Sequence, residues 1–119
     1  MLKQQAILIA EDEPFIALDL AFAVEDADGR VVGPVASVEE ALELLESWPV
    51  DGAILDVNLM DRDITPVVAL LAERGVPIIL QSGVGLPPEL SARFPHLTVC
   101  LKPCAPTQLI DELGRLLRK

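Results

Sequence analysis

The sequence predicts an α/β protein: a three-layer α/β/α sandwich built on a five-stranded parallel sheet. Three observations predict it. Five short apolar runs alternate with five stretches of helical periodicity, the pattern of repeated βαβ units with right-handed crossovers. The runs are apolar without period-two alternation, as expected of strands buried on both faces. Several of them stop abruptly at a polar residue, which places that residue on the sheet edge where open α/β sheets bind ligands.

Ala6 to Ala10 forms the first run and ends in Glu11-Asp12-Glu13-Pro14. Pro14 suits the first turn of a helix, where its missing N–H is not needed. Ile16, Leu20, Ala23, Val24 and Ala27 then recur at helical spacing up to the stop signal Asp28-Gly29. Val31 to Val35 is the second strand, which Pro34 is expected to end. Ser37 caps the second helix, and Glu40 three residues later completes a capping box. Ala41, Leu42, Leu44, Leu45 and Trp48 supply its apolar side, and Pro49 stops it. The third strand is Ala53-Ile54-Leu55, delivering Asp56. A polar loop from Asn58 to Thr65 leads to a helix that opens near Pro66 and ends at Arg74-Gly75. Val76 to Leu80 is the fourth strand and runs into Gln81-Ser82-Gly83. Gly83, Gly85, Pro87 and Pro88 allow only a short helix, Pro88 to Phe94. Leu97 to Leu101 is the fifth strand, delivering Lys102-Pro103. A last helix runs from Thr107 with Leu109, Ile110, Leu113, Leu116 and Leu117 inside, and the basic end Arg115 to Lys119 reads as charge at a helix C-terminus.

Composition limits the function. A chain of 119 residues is one domain, residues 1–119, with 51% hydrophobic residues and no repeat or linker. No apolar run reaches the ~20 residues of a membrane span, and Met1 to Gln5 leads into the first strand without a signal peptide, so a cytoplasmic protein with no membrane partner is expected. The net charge of −10 argues against direct nucleic-acid binding and for proteins or cations as partners. Cys100 and Cys104 flank Lys102-Pro103 and do not read as a disulfide framework.

The strand ends carry the chemistry. Strands one, three, four and five lead respectively to Glu11-Asp12, Asp56, Ser82 and Lys102, and a parallel sheet brings all four ends to one edge. Each residue taken alone reads as a cap or a solvated surface group. Together, three converging carboxylates raise one another's pKa values or require a cation. Hard oxygen ligands at this density suit Mg²⁺. A carboxylate flanked by Mg²⁺ and the Lys102 ammonium is placed to attack phosphorus, both cations absorbing charge on the transferring phosphoryl group. Ser82 could donate its hydroxyl to a phosphoryl oxygen.

The motifs Ile7-Leu8-Ile9-Ala10-Glu11-Asp12-Glu13, Ile54-Leu55-Asp56, Leu80-Gln81-Ser82-Gly83 and Leu101-Lys102-Pro103 resemble, in this order and spacing, the receiver domain of two-component response regulators. The resemblance covers essentially the whole chain. It implies a flavodoxin-like fold with strand order 2-1-3-4-5 and a non-enzymatic phosphoacceptor that assists its own phosphorylation and dephosphorylation. Asp56 would accept a phosphoryl group from the phosphohistidine of a histidine kinase or phosphotransfer protein, and a downstream protein target would read the result. Asp12 would bind Mg²⁺ directly, Glu11 through water, and the Asn58 backbone carbonyl would add a ligand; Ser82 would be the switch hydroxyl and Lys102 the phosphate partner. Three departures stand out. Val99 occupies the place of a usual aromatic switch residue; Leu59-Met60 and Ile64 replace the usual Met-Pro and Gly after the acceptor; the fourth helix is rich in Gly and Pro.

Two other functions share these residues. A small Mg²⁺-dependent phosphatase with an Asp nucleophile would use an Asp, a Ser, a Lys and the metal, but an acid usually follows its nucleophile by two positions, where this chain has Asn58. A degenerate receiver that binds partners without phosphorylation would not need Asp56, Asp12 and Lys102. Because the chain stops directly after the fifth helix, a stand-alone receiver signalling through protein contacts is expected over a fragment of a longer regulator.

Overall fold

The computed structural model describes residues 2–118. Met1 and Lys119, the ends of the expected domain and the last residue of the basic terminus, lie outside the described residues. Among the described residues five strands and five helices alternate: β1 Ala6–Ala10, α1 Pro14–Asp26, β2 Arg30–Val35, α2 Val38–Ser47, β3 Gly52–Asp56, α3 Thr65–Glu73, β4 Ile78–Ser82, α4 Pro88–Arg93, β5 Thr98–Leu101 and α5 Pro106–Leu117. The strands pair in parallel in the order β2-β1-β3-β4-β5, the flavodoxin-like arrangement. Every residue of β1, β3 and β4 is buried, which is why these strands show no alternation in sequence.

The alternation reappears in where each side chain goes. Ile7, Ile9, Ile54 and Ile79 pack with Leu20 and Val24 of α1 and Leu109 and Leu113 of α5. Leu8, Ala10, Ala53, Leu55 and Leu80 pack on the other face with Ala41 and Leu45 of α2, Val67, Val68 and Leu71 of α3, and Leu90 of α4. Two cores thus clamp the central strands and fix their register, since a one-residue slip would exchange the two sets.

Two local readings differ from the sequence expectation, at β4 and at Trp48, and two others gain detail, at β2 and at the end of α1. β2 runs through Pro34 to end at Val35, as expected: the β1–β2 register shifts between Leu8 and Ala10, and an edge-strand irregularity tolerates a residue with no N–H. Gly33 makes this possible with φ +101°, where an added Cβ would stand 2.9 Å from the Ile9 carbonyl oxygen. β4 begins at Ile78 and ends at Ser82 rather than spanning 76–80. The Val76 N–H is taken by the Leu71 carbonyl closing α3, and Pro77 has none to give. At the end of α1 the left-handed residue is Asp28 (φ 68°), whereas Gly29 is needed for space: a Cβ there would lie 2.8 Å from both Leu2 and Val24. Trp48, expected on the apolar side of α2, is the extended residue that follows the helix and is 59% exposed.

Half of the capping box forms: the Glu40 N–H donates to Ser37 Oγ at 3.1 Å, but Glu40 Oε1 accepts from the Ser37 hydroxyl and the Ala36 N–H rather than from the Ser37 N–H. The short α4 and the helix from Pro106 match their expected places.

Candidate functional site

Parallel pairing brings the ends of β1, β3, β4 and β5 to one edge, and the polar residues there meet. Glu11, Asp12 and Asp56 each offer a carboxylate oxygen within 4.8 Å of the others. Glu11 and Asp56 are buried, Asp12 half-buried. Lys102 follows β5, its N–H donating to the Ser82 carbonyl at 2.8 Å, and its Nζ reaches back to Asp56 Oδ2 at 2.8 Å and Glu11 Oε1 at 3.4 Å. Asp56 Oδ1 accepts the Asn58 N–H at 3.2 Å, so the loop after β3 starts by folding over the carboxylate that ends it. Glu11 Oε2 accepts the Glu13 N–H at 3.1 Å, and the Glu13 side chain caps α1 through the Ile16 N–H at 2.8 Å.

Ser82 ends β4 on this edge, but its hydroxyl faces its own loop. Ser82 Oγ donates to the Gly85 carbonyl at 2.6 Å and accepts the Val84 N–H at 3.2 Å. Val99 is half-buried in β5, opposite Leu80, and packs against the core of the α2–α4 face. Cys100 and Cys104 are free thiols, and Cys104 Sγ donates to the Leu101 carbonyl.

Two side chains that sequence periodicity passed over complete the arrangement. Gln81, buried in β4 opposite Asp56, donates its side-chain amide to Glu11 Oε1 at 2.9 Å. Its signal in the sequence was a lone amide inside an otherwise apolar run. Asp61, in the loop after β3, accepts the Val38 N–H at 2.9 Å and the Glu39 N–H at 3.1 Å. It therefore supplies the cap for α2 that Ser37 alone leaves incomplete. Nothing in the local sequence announces a cap from more than twenty residues away.

The electrostatics follow from crowding. Burial pushes the Glu11 carboxyl up to about 7; the Asp56 charge and a hydrogen bond shared with Asp56 push the same way, against the Glu13 N–H and Lys102. Burial alone would lower the Lys102 ammonium, but the hydrogen bond and charge of Asp56, with Glu11 behind it, raise it. One ammonium does not neutralise three carboxylates. The donor set is all oxygen, clustered and short of positive charge, which fits Mg²⁺, a cation that uses one or two protein carboxylates and keeps waters for the rest.

Glu11 gives the metal-free protein a pH dependence of definite sign. Between its ordinary value of 4.5 and about 7 the unfolded chain has lost the Glu11 proton while the folded chain keeps it. Stability from this group is therefore full below 4.5 and is lost as pH rises to about 7. Asp61 and Asp63 act in the opposite sense, their backbone and Thr65 hydrogen bonds holding them below 3.8, so their contribution is lost only in acid. Urea unfolding in EDTA should show stability declining from pH 4.5 to 7, and Glu11→Gln should flatten that segment. An unchanged slope in the variant would place the titration elsewhere.

No protein-family model matches the chain. Among solved structures it is similar to SdrG from Sphingomonas melonis, at 36% identity over 98% of this chain and 99% of that one, TM-score 0.80. It is also similar to a response regulator receiver protein from Sinorhizobium medicae, at 28% identity over 99% and 98% of the two chains, TM-score 0.84. Among curated proteins it is 36% identical over 75 residues to the transcriptional regulatory protein PdtaR of Mycobacterium tuberculosis. That match takes in 62% of this chain and 37% of the relative's length.

Proposed function

Because the chain belongs to the response regulator receiver domain family, we propose that it is a phosphoacceptor in a two-component or phosphorelay pathway, taking a phosphoryl group on Asp56. The observation that carries this reading is the setting of Asp56. It is a buried carboxylate at a strand end, with one oxygen held by the Lys102 ammonium and two further carboxylates beside it.

Glu11, Asp12, Asp56 and the Asn58 backbone carbonyl would hold Mg²⁺, which when bound supplies positive charge to a phosphoryl group arriving at the crowded acids. The residues do the rest. The Asn58 N–H holds Asp56 Oδ1, so an Asp56 oxygen is oriented for in-line attack on the phosphorus of a phosphohistidine. The new O–P bond forms as the P–N bond to the donor imidazole breaks, with the electron pair leaving on nitrogen. Lys102 moves its charge from the Asp56 carboxylate to the phosphoryl oxygens. Ser82 donates to a phosphoryl oxygen once it releases Gly85. Residues 1–119 act as one receiver domain in the cytoplasm, without membrane or direct nucleic-acid contact. The donor is a histidine kinase or phosphotransfer protein, and a downstream protein reads the product. Phe15, Met60, Val84 and Leu101 stand exposed on the segments around the acids and support a protein partner at this edge. Incubation with Mg²⁺ and acetyl phosphate, followed by intact mass, tests the reading. A phosphoryl adduct that forms with Mg²⁺ and not with EDTA is expected, and no adduct under either condition would refute it.

The output differs from the aromatic relay that Val99 replaces. Val99 is β-branched, stiff at χ1 and too short to swing between buried and exposed positions. Ser82 instead tethers the loop that follows it, through a 2.6 Å bond to the Gly85 carbonyl. Turning the hydroxyl toward Asp56 breaks that tether, and Gly85 at φ 90° tolerates the rearrangement. Phosphorylation should therefore change hydrogen exchange in residues 83–94 and leave β5 nearly unchanged. Changes confined to β5 and α5 would contradict this route.

A further inference from the structure

Glu11 is bonded by the protein on nearly every side. A carboxylate offers about four acceptor positions, two per oxygen. Here Oε1 accepts from the Gln81 amide at 2.9 Å and from Lys102 Nζ at 3.4 Å, and Oε2 accepts from the Glu13 N–H at 3.1 Å. The last position, on Oε2, is taken by none of these donors. Two of the three donors belong to the site in other ways: Glu13 opens α1, and Lys102 pairs with Asp56 more closely than with Glu11. Gln81 alone is devoted to Glu11. Its backbone is fixed by β4 pairing on both sides, opposite Asp56 in β3 and Cys100 in β5, and its carbonyl accepts the Val57 N–H at 3.0 Å. It is 2% exposed, so water cannot substitute for the amide. Being neutral, it orients the carboxylate without adding a charge that would repel a cation.

We propose that Gln81 is a positioning residue: by fixing the Glu11 carboxylate from the β4 side, it sets the divalent-cation affinity of a site it does not itself line. The proposal rests on the reading of Glu11, Asp12 and Asp56 as a Mg²⁺ site. Outer partners that orient a metal-binding carboxylate typically contribute about 10–100-fold in affinity.

The test is calorimetric titration of Mg²⁺ into the apo protein, its Gln81→Met variant and an Ile79→Val control. Met keeps the length of Gln in an unbranched apolar chain, and Gln81→Ala serves if Met disturbs the NMR spectrum of the fold. Ile79 is fully buried on the same side of the same strand and lies outside the Glu11 bonds, so its truncation reports the effect of loosening β4 alone. On the order of 10-fold weaker Mg²⁺ binding is expected for the Gln81 variant, with Ile79→Val close to wild type. A loss in the Gln81 variant no larger than that of Ile79→Val overturns the proposal while leaving the metal site intact. If wild type itself takes up no Mg²⁺ at millimolar concentration, the metal site falls and the role of Gln81 with it.

Discussion

Asp56→Asn is expected to abolish phosphoryl uptake and, in the absence of metal, to melt above the wild type. Asn matches the shape of Asp but lacks the anionic oxygen that attacks phosphorus, so the adduct should drop below detection rather than merely slow. The stability gain comes from the same crowding that makes the site reactive. Glu11, Asp12 and Asp56 lie within 4.8 Å with one ammonium among them, and removing one charge relieves repulsion on the other two. Lys102 keeps Glu11 as a partner at 3.4 Å, so the substitution does not strand it. Intact mass and thermal unfolding in EDTA check both parts. A variant that still gains a phosphoryl group would move the acceptor to another residue.

Lys102→Ala should act in the opposite sense on stability and on a different part of the chemistry. Without Nζ, Asp56 and Glu11 lose their shared cation, and the metal-free protein should be destabilised by up to about 3 kcal/mol, the low end for breaking a buried pair because the Lys102 side chain is 28% exposed. Mg²⁺ should restore most of this. Its binding should be retained or tightened, since a competing positive charge has gone. Phosphorylation by acetyl phosphate should slow about 10²-fold, the usual effect of removing one prearranged charge partner. The change in residues 83–94 on phosphorylation should shrink as well. Urea unfolding with and without Mg²⁺, together with the rate of adduct formation, measures these effects. A variant with wild-type rate and wild-type exchange response would reduce Lys102 to a solvated amine.

The sheet and its edge were legible because their signals are local. An unalternating run such as Ala53-Ile54-Leu55 reports burial on both faces, and a polar residue at its end reports the ligand edge. Elements failed where hydrophobicity and hydrogen bonding disagree. Val76-Pro77 is apolar enough to look like strand, yet neither residue has an N–H to give to the sheet: Val76 closes α3 and Pro77 has none. Pro34, by contrast, marks its strand correctly: β2 is an edge that accepts a residue with no N–H and stops one residue later, at Val35. Trp48 looked like core by type and spacing, but the helix had already ended at Ser47.

The site was legible as a set of residue types and illegible as a set of contacts. That Glu11, Asp12, Asp56 and Lys102 converge follows from strand order alone. That the Ser82 hydroxyl is spent on Gly85, that Gln81 holds Glu11, and that Asp61 caps α2 are facts about side-chain direction across separations of up to seventy residues. Periodicity carries no information about these. They are also the features that decide how occupancy of the site would reach the rest of the molecule. Asp61 ties the loop after Asp56 to α2, and Ser82 ties the end of β4 to the glycine-rich segment before α4.

The central claim is that Asp56 is the residue that carries the phosphoryl group. The direct measurement is reduction with borohydride after Mg²⁺ and acetyl phosphate treatment, followed by peptide mass mapping. An acyl phosphate on a carboxylate is reduced to an alcohol, which leaves homoserine at a modified aspartate. Homoserine at position 56 alone is predicted. Homoserine at Asp12 or another aspartate, or the corresponding 5-hydroxy amino acid at Glu11 or another glutamate, with Asp56 unmodified, would contradict the assignment.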